Sequence, residues 1–450
     1  MRRLFMNKNE KKTERKRMKR FVGILALSLF LSACSLSQGP INSETPKPST
    51  STPTAPVTPS DSVATPPTST PNKKPDVETL LSSLSLEEKI GQMFFIGSRY
   101  NSIGQRQLGL DDALSKTLRE YKPGGFIFFT QNLDTINQTV SFIQSLKKSS
   151  SVPMFIGIDE EGGVVTRLNK AIELHSTVMP DPFTIGQTGN KDYAFRASQA
   201  IAEEIGSLGF NMNFAPSADI FSNPNNKIIG KRAYSSNAEL ASIMVAEAVK
   251  GTLNKGVIPV LKHFPGHGDT LKDSHTDAAV VENDLDRLRK VEFLPFKAGM
   301  EAGAEVVMTA HVLTPEISKE GLPATLSPSI IQDLLREELG FNGIIITDGL
   351  EMSAISAFYQ EEEAVVMAIE AGVDMLLLPN NFKKAYEAVL SAVKNGRLTE
   401  ARIDESVRRI LKLKTVMLVD QYDNHEDPEQ VLGSKEHQDL AEQIRKDSTP

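Results

Sequence analysis

The sequence predicts an α/β protein organised as a (β/α)8 TIM-type barrel, preceded by a signal peptide and a disordered Ser/Thr/Pro linker, and three observations predict the barrel. Eight short apolar runs of strand length recur, at 93–97, 126–129, 154–159, 210–215, 258–263, 305–311, 343–348 and 373–378. Amphipathic stretches of helical period lie between most of them, at 135–148, 193–208, 238–254, 285–302, 328–339 and 361–371, and another follows the last run at 383–395. Nearly continuous apolar strands joined by crossover helices make parallel sheets, and eight such units fit a barrel better than the runner-up, a doubly wound open sheet. The third observation is that the runs end in reactive side chains. In both folds, functional residues gather at the carboxyl ends of the strands.

The chain begins differently. Residues 1–33 carry ten Lys/Arg against two Asp/Glu, and the uncharged apolar run at 21–31 is shorter than the roughly 20 residues that span a bilayer, so 1–33 reads as a secretory signal peptide. Leu31-Ser32-Ala33-Cys34 resembles a bacterial lipobox, which implies lipidation of Cys34, anchoring to the membrane through an N-terminal lipid, and an extracytoplasmic location. Residues 34–75 are almost entirely Ser, Thr and Pro and can build no core, so they are expected to form a disordered tether. Ser85 and Glu88 form a capping-box pattern that opens the folded part. The catalytic barrel is expected over 76–418, and 419–450 is expected to be a connector toward a second domain that this sequence does not include.

Composition removes several function classes. At 40% hydrophobic and 24% charged the chain is globular rather than disordered or multi-spanning. The single cysteine rules out an intramolecular disulfide and a Cys-rich zinc module. The net charge is −7 although residues 1–33 are strongly basic, so the body is acidic and nucleic acid is a poor candidate partner. The oligomeric state is left open, with a monomer as the default.

The strand ends carry the functional signal. The third run leads into Asp159-Glu160-Glu161-Gly162-Gly163 with Arg167 beyond it; the fourth into Asn213-Phe214-Ala215-Pro216-Ser217-Ala218-Asp219 with Arg232 in the following loop. The fifth ends in Lys262 and His263, the sixth at His311 and the seventh at Thr347-Asp348-Gly349. One Asp at a strand end is commonly only a helix cap, but carboxylates, histidines, a lysine and two arginines meeting at one rim point to chemistry. Zinc comes into consideration because His263, His267 and His275 lie near Asp269 and Asp273. Their spacing is not that of a helical His-Glu-x-x-His site, and Gly266 and Gly268 lack the Lys-Ser/Thr of a P-loop, so neither a metal nor a cofactor is expected.

Lys262-His263-Phe264-Pro265-Gly266-His267-Gly268-Asp269-Thr270, followed by Asp273-Ser274-His275, resembles the signature of the family 3 glycoside hydrolases in their β-N-acetylglucosaminidase branch. The resemblance runs from about Leu84 to Leu413 and includes the Asp159, Asn213 and Asp348 motifs. It implies a retaining exo-hydrolase that removes terminal β-linked N-acetylglucosamine, with peptidoglycan-derived fragments as the carbohydrate substrate. It further implies Asp348 as nucleophile, Asp273 and His275 as an acid/base dyad, and Asp159, Arg167, Arg232, Lys262 and His263 as binders of the terminal sugar. A histidine suits the role, since its ordinary pKa near 6.5 lets it give and then take a proton around neutrality, while a hydrogen-bonded aspartate orients the ring. Other family branches take the acid/base from a C-terminal domain. Alternatives stand beside this reading: phosphorolysis, because a histidine acid/base avoids the charge repulsion that a carboxylate would offer to phosphate, another family 3 β-glycosidase activity, and a non-catalytic wall-binding lipoprotein.

Overall fold

A computed structural model describes residues 76–270, 279–418 and 426–449. The expected signal peptide and tether, with Cys34, and the pair Asp273 and His275 lie outside the described residues.

Eight parallel strands form at the expected places: β1 (Phe94–Ile96), β2 (Gly125–Phe128), β3 (Phe155–Ile158), β4 (Met212–Asn213), β5 (Ile258–Pro259 and Leu261–Phe264), β6 (Val306–Thr309), β7 (Ile344–Thr347) and β8 (Leu376–Leu377). They pair in chain order from β1 to β5, then β5 with β6 and β6 with β7. A bridge between Ile346 and Met375 joins β7 to the β8 segment, and β8 pairs with β1. Each neighbour in the ring is parallel, which gives a TIM-barrel-like α/β fold rather than the open sheet.

The interior is packed by aromatic rings that small residues admit. Phe95 on β1 lies edge-on to Phe214, with centroids 5.3 Å apart. A Cβ on Gly125 would sit 2.5 Å from the Phe95 ring, and one on Gly157 would sit 2.7 Å from Phe214, so these strand glycines make room for the rings. The helices outside carry the caps their sequences announce. Ser85 Oγ accepts from the Glu88 amide at 3.2 Å, and Glu88 accepts from the Ser85 amide at 2.8 Å.

Two local features depart from the expected pattern. A helix at Asp112–Tyr121, capped by Asp111, fills the connection between β1 and β2; it buries only Leu114 and Leu118, too sparse a stripe to stand out in the sequence. The expected helix over 285–302 is divided into Leu285–Lys290 and Phe293–Glu301. Pro295 accounts for the break, since its ring excludes the carbonyl four residues back and it has no N–H to donate. Beyond the barrel, helix Lys435–Asp447 buries His437, Leu440, Ala441 and Ile444 and lies against helix Lys191–Ser207.

At the amino ends of the strands, the fully buried Asp374 ties strand to helix. Its Oδ1 accepts from Ser406 Oγ at 2.7 Å and Arg409 Nη1 at 3.0 Å, and its Oδ2 from the Ile345 amide at 2.9 Å and from Arg336. Breaking a buried ion network by removing one partner leaves charge uncompensated, so Asp374→Asn is expected to lower unfolding stability by about 3–5 kcal/mol, read as a reduced urea midpoint.

Candidate active site

The carboxyl ends of β3, β4 and β5 converge on one charged network. Three consecutive acids leave β3, and each goes to a different place. Asp159 accepts from Arg167 Nη2 at 2.9 Å and from Lys262 Nζ at 3.1 Å, and it keeps 17% of its side chain exposed. Glu160 turns inward, where its Oε2 accepts the amides of Arg167 at 2.8 Å and Leu168 at 3.1 Å. Glu161 is buried and accepts a two-pronged pair from Arg232, Nε at 2.9 Å and Nη2 at 2.8 Å, with Lys262 Nζ 2.5 Å from its Oε1. Asn213, at the end of β4, holds the turn: its Oδ1 accepts the Glu160 amide at 3.0 Å and its Nδ2 donates to the Glu160 carbonyl at 2.9 Å.

Environment sorts the charges of these acids. Burial by itself raises both Asp159 and Glu161, but Lys262 and Arg167 hold Asp159 below its ordinary value, and Arg232 and Lys262 hold Glu161 far below. Glu160 has no comparable cation against it. Burial dominates there and pushes the carboxyl up to about 7, against the hydrogen bonds from Thr166 and the two amides.

His263 extends the network from β5. Its Nδ1 lies 2.7 Å from Asp219 Oδ2, and its Nε2 lies 3.2 Å from Arg232 Nη2. A guanidinium can only donate, so Nε2 accepts and Nδ1 carries the proton toward the carboxylate: the ring is the neutral Nδ1–H tautomer. Asp219 also accepts the His267 amide at 2.7 Å and Ser217 Oγ at 3.0 Å. His267 itself is buried, and burial lowers it to about 4, so it stays neutral through the physiological range. Thr270 Oγ1 meets its Nδ1 at 2.9 Å, and Asn226 Nδ2 donates to its carbonyl at 2.8 Å, which fixes the chain just before 271. On the far side of that stretch, Ala279–Val280 pairs with Val312–Leu313.

Asp348 follows β7 on the same rim. The register runs Phe264 to Thr309 to Thr347, and the Asp348 amide donates to the Thr309 carbonyl at 3.0 Å. Its Oδ1 accepts the Gly349 amide at 2.7 Å, and the residue is partly exposed. His311 does not present its ring to the rim as an acid would: Nδ1 meets Thr325 Oγ1 at 2.8 Å and Nε2 meets the Gly349 carbonyl at 3.1 Å, steadying the turn after Asp348.

Of the expected site residues, the structure joins Asp159, Arg167, Arg232, Lys262 and His263 in one connected network and sets Asp348 on the same rim. Asp273, His275 and Cys34 are outside the described residues. Sequence reasoning left Glu161 and Asp219 unassigned, although each lies in a quoted motif. The signal that could have found them is excess cation: Lys262 and Arg232 face the interior and need buried carboxylate partners.

Residues 85–413 match the model for the glycosyl hydrolase family 3 N-terminal domain. Beta-hexosaminidase A of Pseudoalteromonas piscicida is 35% identical over 334 residues, which are 68% of this chain and 55% of that protein, so the chain spans about half of that relative's length. The solved glycoside hydrolase family 3 beta-N-acetylglucosaminidase from Paenibacillus sp. str. FPU-7 superposes with a TM-score of 0.74 at 39% identity, over 81% of this chain and 69% of that one. A beta-glucoside phosphorylase, BglX, bound to 2FGlc also superposes at 0.74, with 27% identity over 82% of this chain and 66% of that one.

The Glu160 environment makes a measurable prediction. A carboxyl raised to about 7 in the fold holds its proton where the unfolded chain has lost it, so stability falls as pH rises from the ordinary carboxylate range toward 7. The loss is on the order of 3 kcal/mol. Urea unfolding from pH 5 to 7.5 is expected to show that slope in the wild type and to lose most of it in Glu160→Gln, whose amide oxygen still accepts the two backbone N–H groups.

Proposed function

The chain belongs to glycosyl hydrolase family 3, and on that premise we propose that it is a retaining exo-β-N-acetylglucosaminidase acting on peptidoglycan-derived fragments. The observation that carries the reading is Asp159, partly open to solvent and braced by Arg167 and Lys262, on the rim that also bears Asp348. A carboxylate held in place by two cations accepts hydrogen bonds from a pair of sugar hydroxyls, while the Lys and Arg protons not used internally donate to neighbouring oxygens. Asp348 attacks the anomeric carbon, forming the glycosyl-enzyme as the bond to the leaving oxygen breaks. His275, oriented by Asp273, protonates that oxygen and then takes a proton from the water that releases the sugar. His263 acts as a neutral spacer that keeps Arg232 and Asp219 apart and in register.

The test is turnover of an aryl β-N-acetylglucosaminide against the corresponding β-glucoside. The N-acetylglucosaminide is expected to be preferred. Asp348→Ala is expected to lower kcat by at least about 10³-fold, and His275→Ala to lower kcat/KM by roughly 10²–10⁴-fold for aglycones that need protonation. Wild-type rates in both variants would overturn the mechanism. The likeness to a beta-glucoside phosphorylase makes one further readout worthwhile: in phosphate buffer, free sugar is the expected product, and sugar 1-phosphate would transfer the reading to phosphorolysis.

We also propose that the protein is held outside the cytoplasm by a lipid on Cys34, supported by the basic and apolar segments that precede Leu31-Ser32-Ala33-Cys34. Cys34→Ser is expected to move the protein from the membrane fraction to the soluble or precursor fraction and to abolish fatty-acid labelling. Labelling that persisted would remove the anchor.

A further inference from the structure

We propose that helix Lys435–Asp447 is a clamp on the loop that follows β3, and that His437, acting through Glu204, is the positioning residue by which it sets the sugar-binding carboxylate and arginine. The proposal rests on the reading of Asp159 and Arg167 given above. It concerns a segment beyond the family match, which ends at 413.

The clamp is built around one buried carboxylate. Glu204, on helix Lys191–Ser207, is only 4% exposed. Its Oε1 accepts from the Gly433 amide at 3.0 Å and lies 3.1 Å from His437 Nδ1, both on the C-terminal segment. The same carboxylate accepts the Thr177 amide, at 3.2 Å to Oε1 and 3.1 Å to Oε2. Thr177 belongs to the β3 loop. Its contact with Glu204 thus joins that loop, a barrel helix and the chain terminus through one group.

Two further contacts seat the C-terminal segment on the loop. Gly433 has φ +59°, and a Cβ there would fall 2.1 Å from the His175 carbonyl oxygen, so the approach needs glycine. Arg445 donates to the Val178 carbonyl. From 175–179 the restraint passes back to the site along short links: the Gly163 amide donates to the Met179 carbonyl at 3.0 Å, and Ser176 Oγ donates to Asn169 Oδ1 at 2.7 Å. Gly163 lies two residues beyond Glu161, and Asn169 two residues beyond Arg167.

The contact is sensitive to protonation. Glu203 and Glu204 face His437 from helix Lys191–Ser207, with Glu203 Oε2 3.6 Å from Nε2, and Glu436 lies on its own helix. Lys255 pairs with Glu203 at 2.9 Å and Glu426 at 3.7 Å and so draws on part of that negative charge. Burial would lower His437, but Glu204 and Glu203 together raise it above 6.5. A histidine raised in this way holds its partners fully at low pH and releases charge attraction as pH climbs through its folded value.

The test uses the full chain and aryl N-acetylglucosaminide kinetics from pH 6 to 9, with His437→Ala and His437→Asn. Asn keeps a donor where Nδ1–H stood and does not titrate. At pH 6 His437→Ala is expected to raise KM by about five- to tenfold with kcat within about twofold, the scale of one ordinary hydrogen bond lost. His437→Asn, which keeps a donor but no charge, is expected to restore part of that loss. With rising pH, the wild-type KM is expected to climb toward that of the Asn variant, which stays flat. Equal KM in wild type and Ala, or the same alkaline rise in wild type and Asn, would overturn the clamp. If the Ala variant does not fold, the wild-type and Asn pH profiles decide. If the wild type turns over no aryl glycoside, the sugar-site reading fails by itself, and amide exchange across residues 162–180, faster in Ala than in Asn, still tests the clamp.

Discussion

Lys262 reaching both Asp159 and Glu161 is the constraint on which the rest of the rim depends. Glu161 is buried between that ammonium and the Arg232 guanidinium, and a charge taken so far from water persists only when its partners are close and well aligned. Once Glu161 is satisfied, Lys262 is held where it also meets Asp159, Arg232 is held where it meets His263, and His263 in turn is held against Asp219. Three carboxylates, Asp159, Glu161 and Asp219, thus share one network with Arg167, Arg232 and Lys262. Of the acids that leave β3, Glu160 alone is raised, to about 7. Groups braced against one another in this way are oriented before anything binds and need no rearrangement of the protein.

The same arrangement explains what could be read from the chain beforehand. Strand positions were legible because a parallel strand buried on both faces is apolar along its whole length, and 126–129, 154–159 and 343–348 stand out for that reason. The helix Asp112–Tyr121 was not, because it is short and sends only Leu114, Leu118 and the terminal Tyr121 toward the core. Pro295 divides the helix expected over 285–302, a break that periodicity alone passes over.

Site residues followed a similar rule. Asp159, Arg167, Arg232, Lys262 and His263 were named because they match positions in the motifs of the family the sequence resembles. Among three adjacent acids, however, nothing local says which one faces the substrate, which one is buried against cations and which one is kept neutral. Those roles are decided by Asn213, Arg232 and the amides of Arg167 and Leu168, which arrive from other parts of the chain. Asp219 was hidden for the same reason, since its partner His263 lies 44 positions away.

Of the five described histidines, His175 is exposed, and the ring of each of the other four is engaged in holding the fold. His263 sits between Asp219 and Arg232, His267 against Thr270, His311 between Thr325 and Gly349, and His437 between Glu203 and Glu204. A general acid must hold its proton toward a leaving group and recover it later, which a buried ring neutral down to about pH 4, such as His267, does not do. Of the described residues around that rim, Thr270 is held on His267, Ala279–Val280 pairs with Val312–Leu313, and Asp348 stands two strands round from β5, at the end of β7.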